Sequence, residues 1–139
     1  MEILTFRLQN EGYGIELSRV VEIVENLKII KVPLAPVYVE GIANLRGDII
    51  AVINLKKRFK GEGGNESPFV IITKYGDEKV GLTVDTIEGI KKVSEEEINI
   101  PEKTIKKLIP PEFISGVFTI EKDKFLLLNI QKIIEEKGG

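Results

Sequence analysis

The sequence predicts an all-β protein of two similar five-stranded barrels, ending in a short helix. Three observations carry that prediction. Val, Ile, Phe and Tyr gather in short runs bounded by Gly, Pro, Asn and Asp, the pattern of half-buried strands between turns. Apolar residues make up 42% of the chain against 30% charged, which supplies a packed core and excludes a disordered chain. The chain also matches itself: LTFRLQNEGYGIELSRVVEI (4–23) lies on IITKYGDEKVGLTVDTIEGI (71–90) without a gap.

In chain order, the first copy opens with two strands around a turn, ILTFRLQNEGYGIEL, then RVVEIVE, a run too short and too Val/Ile-rich for a long helix. A proline-marked loop leads to a strand from Gly41, a hairpin turn and the apolar strand DIIAVINL. The second copy repeats this order in FVIITKYGDEKVGLTV, TIEGIKKV, a strand from Gly116 and KFLLLNI. Gly14 falls on Gly81 at an offset of 67, and Gly41 on Gly116 at an offset of 75, so the second copy is longer around VSEEEINIPEKTIKKL. Asp48 meets Asp123 and Asn54 meets Asn129 in the same frame. The copies run over about 1–59 and 69–137 of a single domain, 1–139, with the Gly-rich stretch 60–68 as an exposed linker. Each copy is expected to form its own barrel; a core that small is marginal, so the two should pack together. Ser94 and Glu97 have capping-box spacing for one helical turn. Asn129 fits an N-cap that puts Ile130, Ile133 and Ile134 on one helix face. The basic run KKRFK, 56–60, reads as a solvated helix end.

Composition removes most chemistry. With no cysteine and no histidine there is no disulfide, no thiolate nucleophile and no His/Cys metal site. Ser18, Ser67, Ser94 and Ser115 have no histidine to activate them, and the acidic run 95–97 reads as a solvated first helical turn rather than a cation site. Asp48, Asp123 and Asp85 read as turn residues. No catalysis, cofactor or metal is expected. A net charge of −2 argues against nucleic acid, and no apolar run is long enough to insert in a membrane, so a cytoplasmic chain is expected.

Function must then lie in surfaces, and the differences between copies show where. The turn NLRGD (44–48) becomes TIEKD (119–123), and Glu22 becomes Gly89. Arg46 is one of only four arginines, and its planar fork suits a carboxylate, so a Glu22–Arg46 pair between neighbouring strands is expected. The pair would mark a charged patch rimmed by Val20, Val21, Ile23 and Leu45.

YGIELSRVVEI, VPLAPVYVEGIANLRGDIIAVINL, VGLTVDTIEGI and LLLNIQKII, in this order, resemble the CheW family of bacterial chemotaxis coupling proteins over nearly the whole chain. The resemblance implies two SH3-like barrels and a non-catalytic adaptor. It also implies two partners: the regulatory domain of the histidine kinase CheA, and the cytoplasmic tips of methyl-accepting chemoreceptors in membrane-associated arrays. The partner-binding residues it implies are Val20, Glu22, Ile23, Gly41, Asn44, Leu45, Arg46 and Gly47. Two other readings stand beside it: a nucleic-acid-binding small barrel, which would need a basic face with exposed aromatics, and a small enzyme or ligand-binding barrel, which would need a concave pocket with convergent polar groups.

Overall fold

The computed structural model describes residues 1–60, 67–100 and 109–135. The described residues hold ten strands: β1 (Glu2–Leu8), β2 (Glu11–Glu16), β3 (Val20–Glu25), β4 (Val39–Leu45), β5 (Asp48–Asn54), β6 (Phe69–Tyr75), β7 (Glu78–Val84), β8 (Thr86–Lys92), β9 (Ile114–Ile120) and β10 (Asp123–Leu128). Two short helices, α1 (Leu55–Lys60) and α2 (Ile130–Ile134), follow β5 and β10. The strands form two five-stranded sheets, ordered β8-β1-β2-β10-β9 and β3-β6-β7-β5-β4, the first and second barrels of an all-β, SH3-like architecture.

The expectation that each copy builds its own barrel is corrected by this order. The first barrel takes β1 and β2 from the first copy and β8, β9 and β10 from the second; the second barrel takes the reverse set. The parallel pairs β2–β10 and β5–β7 join the copies, as do the antiparallel pairs β1–β8 and β3–β6. The register nonetheless repeats in the frame read from the sequence. Thr5 faces Gly14 as Ile72 faces Gly81, and Gly41 faces Val52 as Gly116 faces Leu127. Both copies carry a bulge at the start of this last pair.

Period-two alternation splits β1, β6 and β10 between two cores. Inside the second barrel, Ala43, Ile50, Val52, Val70 and Ile72 pack with Val24 and Leu45. Inside the first, Ile3, Phe118, Phe125 and Leu127 do the same. The opposite faces, with Phe6, Tyr13, Ile15, Ile71, Leu82 and Leu128 among them, merge into one core between the barrels.

The helix ends follow the caps. Asn54 Oδ1 accepts from Lys57 N at 3.1 Å and Asn129 Oδ1 from Lys132 N at 3.2 Å. In α2, Ile130 and Ile133 are buried and Ile134 packs partly against the central core. Ser94 and Glu97 form the expected capping box, and the hydrogen bond from Ser94 N holds the Glu97 carboxyl below its ordinary range. The reading of 56–60 as solvated is corrected: Lys56 and Phe59 are buried against the rest of the chain. Most of the 60–68 linker lies outside the described residues.

Candidate protein-binding site

The β4–β5 hairpin turns on two residues. Leu45 pairs with Asp48, and both residues between them have positive φ: Arg46 at 53° and Gly47 at 92°. These are the angles of a type I′ turn, whose twist matches the strands it joins. Asn44 Oδ1 accepts from Gly47 N at 2.9 Å and fixes the turn. Glycine suits the second position; arginine does not suit the first, since a left-handed non-glycine residue is strained. The equivalent turn carries the same strain at Glu121 and Lys122, with φ of 49° and 76°. Strain alone therefore does not single out the first copy; what the side chain touches does.

Arg46 Nη1 donates to Glu22 Oε2. Glu22 lies on β3 and shares its face with Val24, which belongs to the inner core of the second barrel. Strands β3 and β4 are the two outer strands of the sheet order, so the expectation that Glu22 and the hairpin sit on neighbouring strands is corrected. The ion pair instead spans the seam where the sheet curls back on itself. Glu22 is 22% exposed and Arg46 75% exposed, so the carboxylate acts as the anchor and the guanidinium as the presented group.

The other expected residues divide. Asn44 and Gly47 are exposed in the turn, and Leu45 packs on the barrel core. Val20 leans into the central core, while Val21 and Ile23 are exposed on the face of β3 opposite Glu22, so the rim is not continuous. Gly41 is buried beneath the chain crossing at Ile30: a Cβ there would come within 2.1 Å of the Ile30 carbonyl oxygen. It shapes β4 from inside and presents no surface of its own.

One residue beside the turn escaped the sequence reading. Ile49 pairs with Asn44 on the outer face of the hairpin and is 63% exposed, and the neighbouring pair Ile42–Ala51 and the bridging Ile30 continue that face. The signal was present in the doublet Ile49–Ile50, which breaks alternation and must put one isoleucine outside.

The first barrel has a charged cluster of its own, built from residues of both copies. Arg7 pairs with Glu88, reaches Asp123 at 3.2 Å, donates to the Asn10 carbonyl at 2.9 Å and lies over the Phe125 ring. With 26% of its side chain exposed, Arg7 is spent inside the fold, whereas Arg46 is not.

Asp85, read as a turn residue, is the hub between the barrels. It takes Lys56 Nζ at 2.8 Å, Ser67 Oγ at 2.6 Å and Gln9 N at 2.9 Å. Burial pushes its pKa up, but these donors together outweigh burial and hold the carboxyl below its ordinary range.

No group of His, Cys, Asp or Glu among the described residues could hold a metal ion, and no described helix is long and apolar enough to cross a membrane. An exposed cation braced by a carboxylate, next to an exposed isoleucine on a rigid hairpin, supports recognition of another protein. The fold and this edge define a small two-barrel scaffold.

Comparison with known proteins gives the particular family. The family described as CheW-like domain matches residues 2–138. The chain is 38% identical to the chemotaxis protein CheW of Treponema pallidum, over 98% of this chain and 83% of that one. It is 30% identical to CheW of Thermotoga maritima, over 97% and 88%. The crystal structure of the scaffolding protein TtCheW from Thermoanaerobacter tengcongensis superposes with a TM-score of 0.89 at 32% identity, covering 99% of this chain and 90% of that one. The chain belongs to the CheW family, a family of non-catalytic chemotaxis scaffold proteins.

Proposed function

We propose that this protein couples chemoreceptors to the histidine kinase CheA, and that the seam of the second barrel, from Glu22 to the Asn44–Gly47 turn, is a partner-binding surface. One observation carries the reading: Arg46 is held in a strained turn, three-quarters exposed at 75%, and braced by Glu22 across the barrel closure. A guanidinium positioned this way loses little freedom on binding, and its fork suits a carboxylate or carbonyl on a partner. Ile49 and Ala51 supply exposed apolar surface beside it. The chain's part is then to hold kinase and receptor in one assembly, with no bond made or broken.

Titration of the purified chain against a CheA regulatory domain, and separately against a receptor cytoplasmic fragment, tests this. Saturable binding to both is expected, with at least one affinity falling in Glu22→Ala and Arg46→Ala. No binding to either partner overturns the coupling role. Binding to both that neither variant weakens overturns the assignment of the seam.

A further inference from the structure

The second barrel has two ends. The Glu22–Arg46 pair closes one; at the other, where β3, β5 and β7 finish and β4 and β6 begin, a cleft of about 580 Å³ opens. Lys31, Glu40, Asn54, Lys57 and Thr83 line it, with Leu27 among its apolar walls. That volume lies in the range of small-molecule sites, and the mouth of a β-barrel is a recurring place for one.

Three observations set this cleft apart from an ordinary dent. Thr83 is buried at 4% exposure, and its hydroxyl has no hydrogen-bond partner among the described residues, an uncommon state for a buried polar group. Lys31 and Lys57 both border the space, and neither makes an ion pair with a described residue. The amide of Asn54 is already oriented: its Oδ1 caps α1, and one of its Nδ2 hydrogens goes to Glu40 at 3.2 Å. The equivalent end of the first barrel keeps the capping asparagine, Asn129, but differs in the side chains around it. There Glu16 replaces Thr83 and Ser115 replaces Glu40; clefts of about 570 and 420 Å³ open beside Val93 and Glu16, so the difference lies in the side chains and not in the space. Lys132, the counterpart of Lys57, is paired with Glu135 at 3.5 Å.

We propose that the open mouth of the second barrel binds a small ligand bearing one oxyanion group, a carboxylate or a phosphate ester. The anionic group sits between Lys31 and Lys57. The body of the ligand meets Asn54, Glu40 and the Thr83 hydroxyl. Glu40 sets the selectivity: it repels a second anionic group and favours a hydroxyl or amino donor in its place. The site faces away from Arg46 and requires neither kinase nor receptor, so it stands or falls independently of the coupling role.

The test is an NMR titration of the full chain with lactate, glycerol 3-phosphate and inorganic phosphate at millimolar concentration. Saturable shifts are expected at the amides around Lys31, Asn54, Lys57 and Thr83. A hydroxyl-bearing probe should bind more tightly than inorganic phosphate, and lactate against glycerol 3-phosphate tells carboxylate from phosphate. Lys31→Gln with Lys57→Gln should weaken binding by about tenfold or more, because charge-assisted hydrogen bonds are lost. Thr83→Val, which removes only the unpartnered hydroxyl, should weaken it while the melting temperature holds. Shifts scattered over surface lysines and unchanged in the double variant overturn the proposal. So does the absence of any saturable shift in a chain whose melting temperature shows it folded.

Discussion

Arg46 occupies a backbone conformation that its side chain does not favour, and that conflict separates stability from function at one position. The left-handed region costs a non-glycine residue about 1–2 kcal/mol, and asparagine is the residue a type I′ turn prefers there. The ion pair to Glu22 returns only about 0–1 kcal/mol, because Arg46 is largely exposed. Arg46→Asn should therefore leave the melting temperature unchanged or raise it, while Arg46→Ala should stay within about 0.5 kcal/mol of the parent. Both should weaken assembly with the kinase domain; where Arg46 or Glu22 is desolvated at the interface the loss reaches about 2–5 kcal/mol. Glu121→Ala, at the matching turn of the first barrel, should do far less, since no described partner of Glu121 resembles Glu22. Thermal melts and binding titrations on the three variants decide it: equal binding loss at Glu121 and Arg46, or loss that tracks unfolding, reduces Arg46 to a turn residue.

At the level of elements, the strands, the Asn129 N-cap and the capping box were legible because each is written in local spacing; the Asn54 cap went unread. The residues from Gly41 to Gly47 were legible as a turn with a charged tip. The role of Gly41 was not, since it depends on Ile30 crossing from outside the strand. Arg58 shows the same limit. It stacks on Tyr38 and Phe113 and donates to carbonyls at the end of α2, including Glu135 O at 2.9 Å, partners from three distant segments. Asp85 was misread for the same reason: its donors come from α1, from Ser67 and from the β1–β2 turn. Its effect on stability has a definite sign. The folded pKa lies below the unfolded value near 3.9, so its contribution is complete above that value and is lost as pH falls through the folded pKa. Asp85→Asn should cost about 1.5–3 kcal/mol at neutral pH, the scale of hydrogen bonds to a charged group. The gap between variant and parent should narrow in acid. Urea melts at neutral and acidic pH measure this, and a gap that stays constant would show that the charge on Asp85 is not what joins the barrels.

The whole molecule is held by exchange between its copies, and alternation along a strand carries no trace of that exchange. The face a residue presents is the same whether β1 joins β8 or β3, so the offsets of 67 and 75 could be read while the partnering could not. Mechanically the consequence is large. Two barrels built from separate copies would be two domains able to part; here each barrel is incomplete without strands from both copies, and the central core draws on both as well. Neither copy supplies all five strands of either sheet, and each half of this arrangement alone would expose hairpin edges and apolar faces to water. A chain cut at a protease site placed within residues 61–66 should therefore stay in one piece under native conditions. The halves should co-elute at the size of the intact protein, separate only on a denaturing gel, and unfold together in one cooperative transition. For a scaffold this gives a stiff unit: a partner gripping the seam of the second barrel is anchored to β6 and β7 of the second copy as firmly as to β3–β5 of the first. Elution of the cut chain as two folded halves, or two resolved melting steps, would show that the exchanged strands contribute too little to join the copies.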